Sequence, residues 1–308
     1  MVENFINDVK ERVCSKLKDR NCIVKLNPVV KINKIHKTGI TILNEGESAA
    51  PTLYFEDFYP LYERGCSIDE IADKIIAIND AQKNTIPVEF MKMGDFEYAK
   101  KNITLKLINA EENRTILDDV PHIIYSDLGL AIIFEITVID QSSKEIMSAR
   151  IPTNVMNEWN TDTDELFELG RENTVRMMGV YIKEMKEAFD DLTQDGAIRI
   201  DDELYRALSD VYRMPIYMLT NNYKLYGAVN IFIDGVLRGV SDMLEDDICI
   251  IPSSMHEVLL IPLRLVDCLD DINAMICGIT EDALPKQDFL SGNCYIYSRQ
   301  LDRIIMYE

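Results

Sequence analysis

The sequence lacks the familiar signatures of cofactor and nucleotide binding. It contains no phosphate-cradling G-x-x-x-x-G-K-[ST] loop and no G-x-G-x-x-G fingerprint that follows a strand. It also lacks a G-x-S-x-G nucleophile elbow, an H-E-x-x-H zinc motif and an EF-hand loop. We therefore predict neither a cofactor nor a metal ion.

Long hydrophobic runs are equally scarce. The longest apolar stretch extends from Leu128 to Ile139, is interrupted by Glu135, and is too short to span a bilayer. The first residues form a charged amphipathic pattern rather than the apolar core of a signal peptide. These features predict a cytoplasmic protein without membrane association.

Positive charge is in short supply. The chain has 32 Lys and Arg against 53 Asp and Glu, a formal net charge of -21 and a pI of about 4.6. Such a surface repels phosphate backbones, so no nucleic-acid partner is expected. Residues 1–38 are an exception, with nine basic and four acidic side chains. This segment either docks on the acidic body or offers a basic surface to an anionic partner, and the first interpretation is favoured.

The seven cysteines are scattered and form no C-x-x-C pair. Their odd number and irregular spacing fit neither a disulfide framework nor a zinc site. They are best interpreted as small buried hydrophobic residues in a reducing compartment.

What the chain does contain is an ordinary globular composition with mixed periodicity. It is 47% hydrophobic, and a chain of 308 residues is long enough to form two domains. The pattern predicts an α+β fold with mixed, largely antiparallel sheets packed against helices. We place a smaller helix, β-hairpin and helix unit at residues 1–90. A larger α+β unit follows at 91–308, with a possible subdivision near 200–212.

Several elements can be placed individually. Ser67 and Glu70 form a capping box that begins a helix, and the apolar run Leu130–Ile139 predicts a central strand. The stripe from Leu265 to Ile276 predicts a helix that ends before Gly278. Further predictions are strands at Ala228–Ile233 and Ile248–Ile251, helices at Lys183–Leu192, Asp201–Ser209 and Val236–Leu244, and a terminal hairpin from Cys294–Tyr297 and Ile304–Tyr307.

Histidine is rare, and two of the three histidines stand in suggestive settings. His122 follows Asp119-Val120-Pro121 and precedes Asp127, so it could be an oriented general base. The alternative, which we favour, is a histidine that caps a turn or binds a buried carbonyl, because no nucleophile is nearby.

The second setting is the segment from Ser254 to Glu257, between two apolar strands. Ser254, His256 and Glu257 are a nucleophile, a base and a carboxylate, the groups needed for acyl transfer. The alternative is a tight turn in which the hydroxyls bind backbone N–H groups, and it is again favoured. A metal site that combines both histidines with a carboxylate stays open, because the sequence does not show whether they meet.

Three segments carry a family resemblance. They are Asp119-Val120-Pro121-His122-Ile123, the stretch from Glu158-Trp159 to Asn173-Thr174, and Pro252-Ser253-Ser254-Met255-His256-Glu257-Val258. Together they resemble a family of uncharacterised bacterial proteins defined only as a domain of unknown function. The resemblance implies a bacterial cytoplasmic protein and carries over no activity.

Three functional hypotheses follow. The favoured one is a non-enzymatic protein that binds or regulates another protein, which predicts no deep polar pocket and an exposed apolar patch or sheet edge. The first alternative is a hydrolase or transferase that uses the Ser254 and His256 pair. The second is an oligomeric structural protein held together by its terminal hairpin.

Overall fold

The structure is a computed structural model that describes residues 2–45, 50–82, 92, 94–140, 144–184, 215–282 and 284–307. It has an α+β fold, and its chain contacts define two compact units, residues 1–91 and 92–308. Across the described ranges, no helix is both long enough and apolar enough to traverse a lipid bilayer.

In its described residues, the N-terminal unit packs three helices on one antiparallel sheet. The sheet has the order β1–β2–β3, and the long hairpin of β1 and β2 pairs Cys22 with Asn44 and Lys31 with Ile35. Phe5, Ile40, Phe55 and Ile71 lie in a common core. The elements are α1 (Val2–Lys16), β1 (Cys22–Lys31), β2 (Ile35–Asn44), β3 (Thr52–Tyr54), α2 (Phe55–Glu63) and α3 (Ile68–Gln82).

Helix α3 begins at the predicted capping box. The backbone N–H of Ser67 donates to the Glu70 carboxylate at 2.8 Å, and the N–H of Glu70 donates to the Ser67 hydroxyl at 3.3 Å. Helix α2 was not predicted, because its nine residues are too few for a clear period and include Pro60.

The described part of the C-terminal unit forms two antiparallel sheets. The strands are β4 (Ile103–Asn109), β5 (His122–Tyr125), β6 (Leu130–Ile139), β7 (Ile146–Arg150), β8 (Tyr181–Glu184), β9 (Tyr217–Thr220), β10 (Ile248–Pro252), β11 (Val258–Pro262), β12 (Tyr295–Ser298) and β13 (Arg303–Met306). The helices are α4 (Phe96–Ala99), α5 (Arg114–Leu117), α6 (Thr153–Glu158), α7 (Thr163–Met178), α8 (Val236–Leu244) and α9 (Leu269–Asp282).

Strand β6 is the centre of the four-stranded sheet. It pairs with β4 along one edge and with β5 and β7 along the other, and its first eight residues are buried. The central strand predicted at Leu130–Ile139 is confirmed. Helix α7 covers one face, where Gly170 allows contact with Leu105 and Thr174 accepts a hydrogen bond from the Leu105 N–H at 3.0 Å.

The six-stranded sheet has the order β13–β12–β10–β11–β9–β8 and is antiparallel throughout. The predicted terminal hairpin is confirmed as β12 and β13. Helix α9 packs Ile272 and Ile276 against Cys249 and Leu259 in the core of this sheet.

Some predicted elements are wrong. Residues Gly227–Phe232 form a 3-10 helix rather than the predicted strand. This short run is mostly buried, so its apolar residues show no period that would separate a helix from a strand. Gly278 lies inside α9 rather than beyond its end. Lys183 and Glu184 belong to β8 rather than to the helix predicted at Lys183–Leu192, and the rest of that prediction lies outside the described residues. The helix predicted at Asp201–Ser209 and the subdivision near 200–212 also lie outside the described residues.

Tyr295 joins the two sheets and should make stability fall at alkaline pH. Its ring is fully buried, its hydroxyl donates to the Leu128 carbonyl at 3.0 Å, and burial raises the pKa of its phenol to about 12. The unfolded phenol ionises near pH 10, so this contribution is complete below pH 10 and is lost as the pH rises towards 12.

We expect a loss of about 1.4 kcal/mol in the free energy of unfolding from this group between pH 9 and 11. Urea unfolding followed by circular dichroism measures it. Tyr295→Phe should lose less stability over the same range, and an equal loss in both proteins would contradict the assignment.

Candidate functional site

The predicted Ser, His and Glu residues lie together in the turn between β10 and β11. The hydroxyls of Ser253 and Ser254 donate to the same Glu257 carboxylate oxygen, at 2.8 and 3.1 Å. The Ser254 hydroxyl also accepts the His256 backbone N–H at 3.0 Å. The two hydroxyls therefore close the turn on Glu257.

Both nitrogens of the His256 ring have partners elsewhere. Nδ1 accepts the backbone N–H of Tyr226 at 3.1 Å, which assigns the proton of the neutral ring to Nε2. Nε2 lies 3.2 Å from a carboxylate oxygen of Asp288. The His256 carbonyl accepts from the Gly227 N–H at 2.9 Å and from the Thr220 hydroxyl at 2.8 Å. His256 thus joins three segments of the chain.

The structure does not bring the Ser254 hydroxyl to the His256 ring. The hydroxyl faces Glu257, whereas the ring faces Tyr226 and Asp288. A Ser nucleophile must hydrogen-bond to the nitrogen that takes its proton, and that bond is not formed between these two side chains. The arrangement instead matches the alternative interpretation, a turn in which a serine hydroxyl binds a backbone N–H.

A buried ion pair lies next to this turn. The Lys106 ammonium on β4 is 2.7 Å from both carboxylate oxygens of Glu135 on β6, and both side chains are about 5% exposed. The Tyr226 ring covers the ammonium, with 3.6 Å from Nζ to the ring centre. The same ring lies 5.3 Å from the His256 ring. The sequence analysis predicted no site role for four of these residues, Lys106, Glu135, Tyr226 and Asp288.

One signal could have found the ion pair. Lys106 and Glu135 are the single charged residues in two strands that are otherwise apolar or carry only hydroxyl and amide groups. A lone charge within a buried strand needs a partner of opposite sign. The approach of Tyr226 and Asp288 has no such signal, since Tyr226 precedes a 3-10 helix and Asp288 ends another of only three residues.

The other two predicted residues lie apart from each other. The His122 Nδ1 binds the Val120 carbonyl at 2.8 Å, which fits the alternative of a histidine that binds a carbonyl. Asp127 accepts the Ser126 hydroxyl at 3.3 Å and lines a separate cleft. No contact joins His122 to Asp127 in the described part of the chain.

The cleft lined by Asp127 has a volume of about 590 Å³. Its lining combines polar and charged side chains with buried apolar ones, and Tyr125 stacks on Phe232 with ring centres 4.1 Å apart. Burial raises the pKa of the Tyr125 phenol, so this hydroxyl stays neutral. Strand β5, the segment Ile231–Leu237 and strand β13 form its walls.

The charged side chains of the cleft differ in whether they have a partner of opposite charge. Asp234 pairs with Arg171, and Asp302 accepts the Tyr297 hydroxyl. Arg238 donates to the Arg299 carbonyl and lies near Asp242. Asp127 has a hydroxyl partner but no basic partner among the described residues.

The cysteines form no disulfide bonds with one another. All seven cysteines belong to described residues and are free thiols, but only Cys249 and Cys294 are buried, so the interpretation of the cysteines as buried residues is wrong for the other five. Within the described ranges, no three His, Cys, Asp or Glu side chains are grouped so as to hold a metal ion.

Comparison with known proteins agrees with the predicted resemblance. The model of a family described as "Family of unknown function (DUF5688)" matches residues 2–299. No curated protein and no solved structure gave a significant match. Since the match covers nearly the whole sequence, the chain belongs to DUF5688, a family of unknown function.

Proposed function

We propose that this chain is a non-enzymatic protein that binds a partner protein, and that the cleft beside Asp127 takes an extended segment of that partner. The observation that carries the proposal is a cleft between two edge strands whose lining includes buried apolar side chains, such as Leu128 and Ile231. Ile124 stands at its rim with 51% of its surface exposed. Ile124 adds apolar surface to the cleft, and a cleft that combines apolar side chains with a few polar groups is the usual form of a binding site.

Both strands at the cleft are edge strands. Among the described strands, β5 pairs with β6 alone and β13 pairs with β12 alone. An edge strand offers unpaired backbone N–H and C=O groups, to which an extended peptide can add as a further strand. The apolar side chains of the lining would then contact alternate side chains of that peptide.

The charge of the chain indicates which segment would bind. The net charge is -21, and Asp127 carries a negative charge at the cleft without a basic partner among the described residues. Opposite charge accelerates encounter and selects partners. We therefore propose a partner segment that combines apolar side chains with Lys or Arg.

The roles of the serine turn support a binding function over an enzymatic one. Ser253, Ser254 and His256 hold the turn and its neighbours together through hydrogen bonds. None of the three lines the cleft. The free thiols and the family resemblance further support a bacterial cytoplasmic location as part of the proposal.

The cleft can be tested with peptides selected from a random display library against the wild-type protein. We expect enriched peptides with alternating apolar residues and at least one Lys or Arg. Ile124→Arg should weaken their binding about tenfold or more, because it places a charge on the apolar rim. Fluorescence anisotropy with a labelled peptide measures the dissociation constant.

Met243→Arg is the matched control. Met243 is 59% exposed on α8 and does not line the cleft, so its substitution should change the dissociation constant by less than about twofold. Equal weakening by both substitutions would contradict the proposed site.

The oligomer hypothesis predicts a different result. Strand β13 of the terminal hairpin is an edge strand, so a second copy of the chain could pair with it. Light scattering should give the monomer mass of 35.4 kDa if the edge is free for a partner. A dimer that Ile304→Lys dissociates would favour the structural role instead.

A further inference from the structure

A second, smaller cavity lies where the end of helix α7 meets the turn before β4. It has a volume of about 420 Å³ and is lined by Tyr98, Lys101, Asn102, Asn173 and Arg176. These side chains supply two cations, two amides and a phenol, and no carboxylate. On a chain with a net charge of -21, a cavity with this lining differs from the average surface.

Asn173 fixes the geometry of the cavity. It is only 7% exposed, and its Nδ2 donates to the carbonyls of Lys100 and Ile103 at 2.8 and 3.0 Å. Its Oδ1 accepts Nη2 of Arg176 at 2.7 Å, and the same Nη2 donates to the Lys101 carbonyl at 2.5 Å. Among the described residues the guanidinium is therefore held by one nitrogen, and its Nε and Nη1 have no partner there and can act as donors.

The other donors of the cavity point to an anionic ligand. Within the described part of the chain, Lys101 forms no ion pair, and the side chains of Tyr98 and Asn102 form no hydrogen bond. The Lys92 ammonium lies 4.6 Å from the centre of the Tyr98 ring. The neighbouring carboxylate of Glu97 is engaged by Lys100 at 2.6 Å.

We propose that this cavity binds a phosphate group, either inorganic phosphate or a phosphate monoester. The donors approach from several residues, and two full positive charges lie among them. A dianion with three or more acceptor oxygens matches both the charge and the number of donors, whereas a carboxylate has one charge and two oxygens. The site is independent of the peptide cleft, with which it shares no residue.

The test is a titration of the full chain with inorganic phosphate at low ionic strength, followed by the NMR signals of the Asn102 and Asn173 side-chain amides. We expect saturable shifts of these signals, and binding at least about tenfold tighter than that of acetate. A parallel titration with phenyl phosphate distinguishes the sources. Tighter binding than inorganic phosphate indicates a monoester, and weaker binding indicates the free ion.

Two variants locate the binding. Arg176→Gln should weaken phosphate about tenfold or more, and Lys101→Ala about fivefold. Because Arg176 also supports the fold, Lys101→Ala is the decisive variant, since its side chain has no bonded partner among the described residues. Lys25→Ala, an exposed lysine of the N-terminal unit, is the control and should change binding by less than about twofold.

Several results would overturn the proposal. One is the absence of saturable shifts at the two asparagine amides. Another is phosphate binding no tighter than acetate, which would indicate a non-specific response to anions. A third is equal weakening by Lys101→Ala and Lys25→Ala, which would place the anion elsewhere on the surface.

Discussion

Lys106→Met should reduce the free energy of unfolding of the C-terminal unit by about 3–5 kcal/mol. The substitution leaves the Glu135 carboxylate in the interior, where its side chain is 6% exposed, without the ammonium that now lies 2.7 Å away. A buried charge that loses its partner keeps the full cost of its removal from water. The Tyr226 ring also loses the cation that it covers.

The double variant Lys106→Met with Glu135→Leu tests this reasoning. It replaces both charges by apolar groups of similar size, so no unpaired charge remains in the sheet. We expect it to recover most of the stability lost in the single variant. Urea unfolding followed by Trp159 fluorescence measures both, because Trp159 is the single tryptophan of the sequence and lies in the C-terminal unit.

Lys101→Met is the control for the loss of a lysine. Lys101 is exposed, only five residues before Lys106, and its substitution should change stability by less than about 0.5 kcal/mol. If Lys106→Met proved as mild as Lys101→Met, or if the double variant were no more stable than the single one, the ion pair would not hold the sheet together.

Much of the fold was predictable because the signals are local. The reciprocal bonds between Ser67 and Glu70 follow from a four-residue pattern, and they fix the start of α3. The nearly continuous apolar run Leu130–Ile139 predicted a strand with both faces covered, and the first eight residues of β6, which alternate between the two faces, are all buried. Such patterns depend on neighbours in the sequence, which the sequence shows directly.

The candidate site was only partly predictable because its contacts are long-range. Ser254 and Glu257 are three residues apart, so their proximity could be expected, but Tyr226 and Asp288 each lie about thirty residues from His256. Tyr226 precedes a 3-10 helix and Asp288 ends another, and both helices are too short for a periodic pattern to give their direction. The sequence therefore predicted which residues form the turn, but it did not predict that the His256 ring contacts Tyr226 and Asp288.

The segment after Tyr226 shows the same limit. The run Ala228–Ile233 has the β-branched and apolar residues of a strand, yet it forms a 3-10 helix packed against the end of β9. The side chain of Asn230 donates to the Thr220 carbonyl at 2.7 Å, a bond that a strand partner would otherwise supply. Tertiary contacts override propensity here, as they often do for short apolar runs.

Gly227 is the residue that permits this packing, and Gly227→Ala should destabilise the C-terminal unit by about 2–3 kcal/mol. A Cβ at this position would clash with the Thr220 hydroxyl and lie 2.7 Å from both the Thr220 Cα and the Asn221 nitrogen. Two of these three atoms belong to the backbone, so they cannot rotate away. The shift would also disturb the bond of 2.9 Å from the Gly227 N–H to the His256 carbonyl.

Gly239→Ala is the matched control, and it should act in the opposite direction. Gly239 lies inside α8, where an added Cβ meets nothing within 4 Å. Alanine favours a helix over glycine by about 0.5–1 kcal/mol, so this variant should be more stable than the wild type. Urea unfolding followed by Trp159 fluorescence measures both changes. If the two substitutions shifted stability in the same direction, the close approach at Gly227 would not be what holds the His256 turn in place.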